Sequence, residues 1–441
     1  MASPDARLKN QTQHLFDTLA RYTTTIPRKH SGVPVRNRMP GDIVLVTGTT
    51  GSFGCNILAQ LCLDPDVKWI YALNRASPRV DLTERQVTAL KQRGVLDDCL
   101  RYPKYQLLEA DLSQTLLGLS TELYTEIQNN VTHIIHNGTQ KLMFTSESAT
   151  NLNRALDVAW TVNLAKPLDK FEDCLQGLRN LIDLALHSPQ ITRTKILFVS
   201  TMSVVRKYPE LSAPEEHFWD PSPSIGFGYS ESKWVAEQML HHANQSTGLP
   251  VTSVRVSWSS LWRPKRALGN QRHMALGGEI SARAEMSPGR IAPWVPTYEA
   301  ASVLCAMRHS NEPILHLEDP NPTRWDEMFG IFAKELNVPL IPFEDWLSLL
   351  RDYAADTCIP KAEQRKRNPA VNLIPYLSGM DFRTYISQGH SGLDTTKAVQ
   401  EVPRLKDVQI SKELVMKWIK GWREVGFLPR QEALGILHSK L

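Results

Sequence analysis

The sequence predicts an α/β protein, a doubly wound parallel sheet with a smaller, mostly helical C-terminal substrate domain. Three observations carry this. Short β-rich apolar runs alternate with longer stretches of helical spacing, a glycine-rich turn follows the first run, and past about Trp294 the pattern becomes mostly helical. The strand-length runs are Ile43–Val46, Trp69–Leu73, Gln106–Leu108, Val131–His136, Ile196–Ser200 and Val251–Val256. Helical spacing runs over Asn56–Leu63, Phe171–His187 and Trp234–Ala243, then over Trp325–Leu336, Phe343–Tyr353 and Lys412–Val425. No internal repeat is present.

Composition bounds the function classes. A chain of 441 residues, 42% hydrophobic, can bury a large core. Its charge of +4, from 50 basic and 46 acidic residues, is nearly balanced and shows no basic stripe, so nucleic acid is not an expected partner. The six cysteines are scattered with no CxxC pair, which argues against a zinc site or a disulfide framework and fits a reducing compartment. The N-terminal stretch carries Lys9, Arg21, Arg28 and Lys29 without an apolar core, and no run of 18 apolar residues exists to span a membrane. The expectation is a soluble, cytoplasmic protein with no membrane partner.

The first apolar run ends in Gly48-Thr49-Thr50-Gly51-Ser52-Phe53-Gly54 and opens into helical spacing. A pyrophosphate needs a tight turn, close backbone approach and free N–H groups at a helix N-terminus, and glycines permit all three. The Gly-x-x-Gly-x-x-Gly spacing, in this place, points to a Rossmann-type dinucleotide site rather than an ordinary strand–helix turn. The second run ends Asn74-Arg75, with no carboxylate for a ribose 2′-hydroxyl and a guanidinium suited to a 2′-phosphate. NADPH is therefore the expected cofactor, with Arg85 a weaker second candidate for the phosphate; a solvated arginine is the bland alternative for Arg75. The expected domains are a leader or linker over 1–40, broken only by a short helical stretch near His14–Arg21, the NAD(P)-binding domain over 41–265, and the substrate-side domain over 266–441.

Tyr229 and Lys233 are four residues apart, so on a helix they share one face. The ammonium can then lower the phenol's pKa and reach the nicotinamide ribose. Thr201 ends the fifth run, where its hydroxyl can bond a substrate carbonyl oxygen beside the phenol; Ser200 and Ser203 are alternatives for that role. His133 and His136, three apart on a strand, face opposite sides, so strand packing rather than metal binding is expected.

The order of glycine turn, Thr201, Tyr229 and Lys233 resembles the extended short-chain dehydrogenase/reductase family. Leu197-Phe198-Val199-Ser200-Thr201-Met202-Ser203-Val204-Val205 and Gly228-Tyr229-Ser230-Glu231-Ser232-Lys233-Trp234-Val235-Ala236-Glu237 narrow the likeness. They resemble the thioester reductase domains of fungal nonribosomal-peptide-synthetase-like and carboxylic acid reductase enzymes, with a male-sterility-type NAD-binding domain. Val131–Asn137, Gly177–Asp183 and Leu393-Asp394-Thr395-Thr396-Lys397 add to it. The resemblance implies adenine contacts from Asp111 and Leu112, although Asp111 also reads as a helix cap. It further implies Asn137 in the cofactor site and an acyl thioester substrate on the phosphopantetheine arm of a carrier protein, or on CoA. The product is an aldehyde, or an alcohol after a second hydride.

Two places depart from the family pattern. Relatives run from His-Asn directly into Ala-Trp, whereas Gly138–Val158 separates Asn137 from Ala159-Trp160 here. A lid and a retained intron both fit, and the intron is slightly favoured: the codons allow a GT donor after Gly138, a branch site at Thr150-Asn151 and an AG acceptor at Val158-Ala159. After Arg255-Val256 the family's Gly-Gln segment is missing through Gly269, and a one-nucleotide shift inside Trp258 allows it; the atypical stretch extends over 257–285. A fatty acyl-CoA reductase, or another extended reductase on a small carbonyl compound, is the second enzyme reading. An inactive cofactor-binding homologue is the third, favoured by the two breaks and opposed by the intact Thr201, Tyr229 and Lys233. No adenylation domain or carrier motif is recognisable, so the acyl donor is expected from another polypeptide or a truncated gene.

Overall fold

The computed structural model describes residues 4–27, 41–137, 166–189, 194–257, 284–285, 291–336, 340–368, 370–371, 374 and 392–424. Gly138–Val158 lies outside the described residues, as does the second atypical stretch apart from Ser257, Ala284 and Glu285.

Seven strands form one parallel sheet: β1 Asp42–Thr47, β2 Val67–Asn74, β3 Tyr105–Glu109, β4 His133–His136, β5 Lys195–Thr201, β6 Val251–Val256 and β7 Ile314–Leu317. Their spatial order is β3-β2-β1-β4-β5-β6-β7, so the winding reverses between β1 and β4. Val46 stands between Ala72 and Ile135 in register. Such strands are covered on both faces, which is why they read in sequence as unbroken apolar runs. The first six expected strands are all present.

Helix α1 is Pro4–Thr23, followed by α2 Ser52–Leu63, α3 Leu82–Arg93, α4 Leu96–Arg101, α5 Thr121–Asn130, α6 Glu172–Leu186, α7 Gly228–Thr247 and α8 Thr297–Met307. Local chemistry sets their ends. Asp81 caps α3 by accepting from the Thr83 and Glu84 N–H groups, and Gly94, at φ 65°, ends it. Gly248, at φ 75°, ends α7 in the same way.

Two expectations need correction. Residues 1–40 are not only a leader or linker: α1 runs for twenty residues, and Leu15 and Leu19 are buried in the main core. These two leucines, one turn apart, form an apolar stripe diluted by polar neighbours. Arg179 holds the helix's end, donating to Tyr22 O at 2.7 Å and Thr25 Oγ1 at 2.7 Å. The second correction concerns the expected boundary at 265/266. Two compact units comprise Met1–Leu261, Val295–Pro320 and Gly392–Asp407 in the first, and Trp262–Trp294, Asn321–Ser391 and Val408–Leu441 in the second. Strand β7 and a return segment at Gly392–Asp407 therefore belong with the sheet, because β7 finds its backbone partners on β6 (Ser253 opposite Ile314).

Among its described residues, the second unit is mostly helical. Its helices α9 Trp325–Leu336 and α13 Lys412–Glu424 share a core in which the Phe332 and Trp422 rings stack at 5.5 Å. Between them in sequence, α10 Phe343–Ala355 and α11 Lys361–Arg367 belong to this unit, whereas α12 Thr396–Glu401 lies on the return segment of the first.

Candidate active site

The β1–α2 turn begins with Gly48 at φ 72°, a left-handed conformation that glycine adopts without strain. Gly54 matters for space: a Cβ there would lie 2.0 Å from Gly48 O and 2.9 Å from Asn137 Nδ2. The first turn of α2 thus sits directly on the glycine turn, with the buried Asn137 side chain against both. Gly51 occupies the N-cap position, Ser52 and Phe53 open the helix, and the first-turn N–H groups have no intrahelical acceptors. This is a cradle of the shape and polarity that a pyrophosphate needs.

Side chains behind the turn hold its shape. Asn74 Nδ2 donates to Thr49 Oγ1 at 2.7 Å, while Asn74 Oδ1 accepts from Thr50 N at 3.1 Å. Thr49 Oγ1 donates in turn to Gln86 at 2.7 Å. Asn74 at the end of β2 is therefore a brace for the turn, a role the sequence reading did not assign. Arg75, half-buried, lines a small crevice with Gly48, Leu73, Ala110 and Leu112. Arg85 Nη2 donates to Arg75 O at 2.6 Å, so this guanidinium braces the backbone beside the first candidate. Asp111 Oδ1 accepts from Ser113 N at 3.1 Å and Ser113 Oγ at 2.8 Å, shaping its own loop. That loop is held from α6, where Asn180 Nδ2 donates to Leu112 O at 2.7 Å and a Cβ on Gly177 would meet Leu112 Cβ at 2.9 Å.

Two strands away, Thr201 ends β5 with its hydroxyl beside Ser203: Thr201 Oγ1 donates to Ser203 Oγ at 3.2 Å and accepts from Ser203 N at 3.2 Å. Ser200, turned the other way by strand alternation, donates to Glu237 at 2.5 Å. Tyr229 and Lys233 are buried on α7, one turn apart. Lys233 Nζ donates to Val199 O at 2.8 Å and lies 4.5 Å from the Phe198 ring centroid, tying α7 to β5 just short of Thr201. It is 6.0 Å from the Tyr229 ring centroid. Burial pulls the Lys233 ammonium down to about 7. The buried His136, held at about 3 by burial and by the Lys233 charge, is a neutral ring that meets Thr47 Oγ1 at 2.9 Å.

Glu237, one further turn along α7, forms a buried ion pair with Arg255, whose Nη2 is 2.8 Å from Glu237 Oε2. The stripe Tyr229–Lys233–Glu237 at four-residue spacing is the signal that could have found it. At the opposite, N-terminal edge of the sheet, Asp42, His133 and His309 approach within 4.8 Å, with Arg308 Nε 3.0 Å from Asp42 Oδ2. Arg308 thus pairs with Asp42 within this group, and His133 and His136 serve separate neighbours, Asp42 and Thr47.

A parallel sheet in this order, with a glycine turn at the point where the winding reverses, defines a Rossmann-type dinucleotide-binding protein. Comparison with known proteins narrows this. The chain belongs to the male sterility protein family of NAD-binding domains, which it matches over residues 46–282. It is 31% identical over 445 residues to adenylate-forming reductase Nps10 of Heterobasidion annosum, covering 95% of this chain and 38% of that protein. Against the non-reducing polyketide synthase pigA of Monascus ruber it is 30% identical over 418 residues, covering 88% of this chain and 14% of that one. The chain thus spans well under half the length of these relatives. Among solved structures, the terminal R domain of the myxalamid PKS-NRPS pathway superposes with a TM-score of 0.69 at 22% identity, over 95% of this chain and 99% of that one. A reductase domain of a nonribosomal peptide synthetase from Mycobacterium tuberculosis gives 0.62 at 20% identity, over 96% and 99%. These two show the same fold. Among the described residues no helix is long and apolar enough to cross a membrane.

Proposed function

We propose that this chain is an NADPH-dependent reductase of secondary metabolism that converts a carrier- or CoA-bound acyl thioester to an aldehyde. The observation that carries the reading is Lys233, fully buried one turn from Tyr229 and bonded to β5 beside Thr201, on the sheet edge that bears the glycine cradle. The names of the two relatives, an adenylate-forming reductase and a polyketide synthase, support a substrate held as a thioester.

The glycine turn with the N-terminus of α2 would hold the pyrophosphate, Arg75 the 2′-phosphate, and Leu112 the adenine side. Bound NADPH supplies the hydride. Thr201 and Tyr229 donate hydrogen bonds to the carbonyl oxygen as negative charge develops there, the usual seat of large stabilisation. The oxygen then takes the phenol's proton, giving a hemithioacetal. Lys233 stabilises the phenolate, and its value near 7 suits it to pass a proton at working pH. Collapse of the hemithioacetal breaks the C–S bond, moves its hydroxyl proton to sulfur, and yields one aldehyde and one thiol.

Tyr229→Phe tests the assignment, because it removes one oxyanion donor and leaves the ring in place. Turnover should fall on the order of 10²–10³ with NADPH affinity unchanged. Parental turnover would sink it.

A further inference from the structure

The loop between Thr201 and Tyr229 is long and carries both proposed hydroxyl donors at its ends. Its middle is bound to two distant parts of the chain. Ala213 pairs with Leu393 in a short parallel bridge: Ala213 N donates to Gly392 O at 3.3 Å, and Asp394 N to Ala213 O at 2.9 Å. Two residues on, Glu215 is buried, and its carboxylate gathers donors from both sides. His316 N of β7 donates at 2.7 Å, and Ala398 N in the first turn of α12 donates at 3.1 Å, joined by Lys397 N. Lys397 Nζ also donates to Glu215 O at 2.9 Å. The same return segment is fastened twice more, to β7 by Asp394 O facing His316 Nδ1 at 2.6 Å and to the residue just past it by Leu393 N donating to Glu318 Oε2 at 2.9 Å.

This fastening reaches the candidate catalytic groups. Leu393, Ala213, Met202 and Tyr229 belong to one buried hydrophobic cluster. A methyl on Gly392 would stand 3.5 Å from Met202 Cε, and Met202 follows Thr201 directly. In register, Thr201 of β5 faces Val256 of β6, which faces Leu317 of β7. The donors that converge on Glu215 therefore come from the strand edge and the segment that flank the Thr201 end.

We propose that Glu215 is a positioning residue for the reduction: its buried carboxylate ties the Thr201–Tyr229 loop to β7 and to the return segment, and so sets the spacing of the two hydroxyl donors. This rests on the thioester reductase reading for its kinetic consequence, though not for the tie itself. A carboxylate offers acceptors alone, as these N–H donors require. An amide in its place turns an NH₂ toward one of them. Small misplacements of reacting groups cost rate far more than they cost binding.

Glu215→Gln in the full chain is the test, assayed at pH 8, above the value of about 7 to which burial pushes this carboxyl. Turnover of an acyl-phosphopantetheine thioester should fall roughly ten- to a hundredfold, with KM and the NADPH dissociation constant within about twofold of the parent. Amide hydrogen exchange should quicken in peptides spanning 206–227 and 392–398 and stay unchanged over 48–63. Parental turnover, or a loss of NADPH binding in step with turnover, would overturn the proposal. If the parent reduces no thioester, the functional reading fails, while unchanged exchange at 206–227 would still overturn the tie. Should Glu215→Gln not fold, Lys397→Met removes the ammonium's bond to Glu215 O, a second fastening of the same loop to the return segment, and leaves the carboxylate's backbone donors in place. It should produce the same pattern in weaker form, and parental exchange and turnover in that variant would again overturn the proposal.

Discussion

Gly54→Ala is the sharpest perturbation the cofactor cradle offers. The added methyl would lie 2.0 Å from Gly48 O, whereas even close C···O contacts stand at about 3.3–3.6 Å. The helix start and the glycine turn must therefore separate by about 1 Å or more. Asn137 Nδ2, at 2.9 Å from the same methyl, blocks escape to that side. Overpacking of this kind costs about 1–3 kcal/mol of stability. The turn that moves is also the one offering N–H groups to the pyrophosphate. Losing a hydrogen bond to a charged group costs about 1.5–3 kcal/mol, so NADPH should bind roughly ten- to a hundredfold more weakly. Denaturant unfolding measures the first effect and titration of NADPH fluorescence the second. Gly330→Ala in α9 and Gly421→Ala in α13 are the controls, since none of the described residues comes within 4 Å of a methyl at either. Both should gain roughly 0.5–1 kcal/mol from helix propensity. Parental NADPH affinity in Gly54→Ala would refute the cradle.

Two further predictions concern charge. Arg75→Ala should erode a preference for NADPH over NADH by about 1.5–3 kcal/mol, and equal affinities of the parent for both cofactors in calorimetry would count against the 2′-phosphate assignment. Lys233 titrates near 7 in the fold against an ordinary 10.5, so between those values the unfolded chain binds the extra proton and stability rises with pH. Lys233→Met carries no such proton. The stability of the parent relative to this variant should climb from about pH 7 to pH 10, and a flat difference would show that the ammonium is not desolvated.

Much of this fold was legible because buried parallel strands leave a strong signature. Ile43–Val46 and Ile196–Ser200 are apolar on both faces and could hardly be anything else. Strand β7 escaped because it is four residues long, carries His316 in its middle and sits in a region of helical pattern; only pairing with β6 makes it a strand. Helix α1 was underread because Leu15 and Leu19 are its clearest apolar signal among Gln, Thr and Lys. In the site, Gly48, Gly54, Tyr229 and Lys233 announced themselves by spacing. Setting Ser200 aside as an alternative to Thr201 needed strand geometry, which turns its hydroxyl to Glu237. Asn74, Glu215 and Glu318 look like ordinary surface polar residues in sequence. Their partners lie 24 to 183 positions away, and only the fold reveals that they are buried.

The central claim is hydride reduction of a thioester, and product stoichiometry tests it most directly. The purified chain, given an acyl-phosphopantetheine thioester and NADPH, should consume one NADPH for each free thiol and each trapped aldehyde at the first reduction. Without NADPH, no thiol should appear. Thiol release that proceeds without NADPH and yields a carboxylic acid would make the protein a hydrolase and contradict the account.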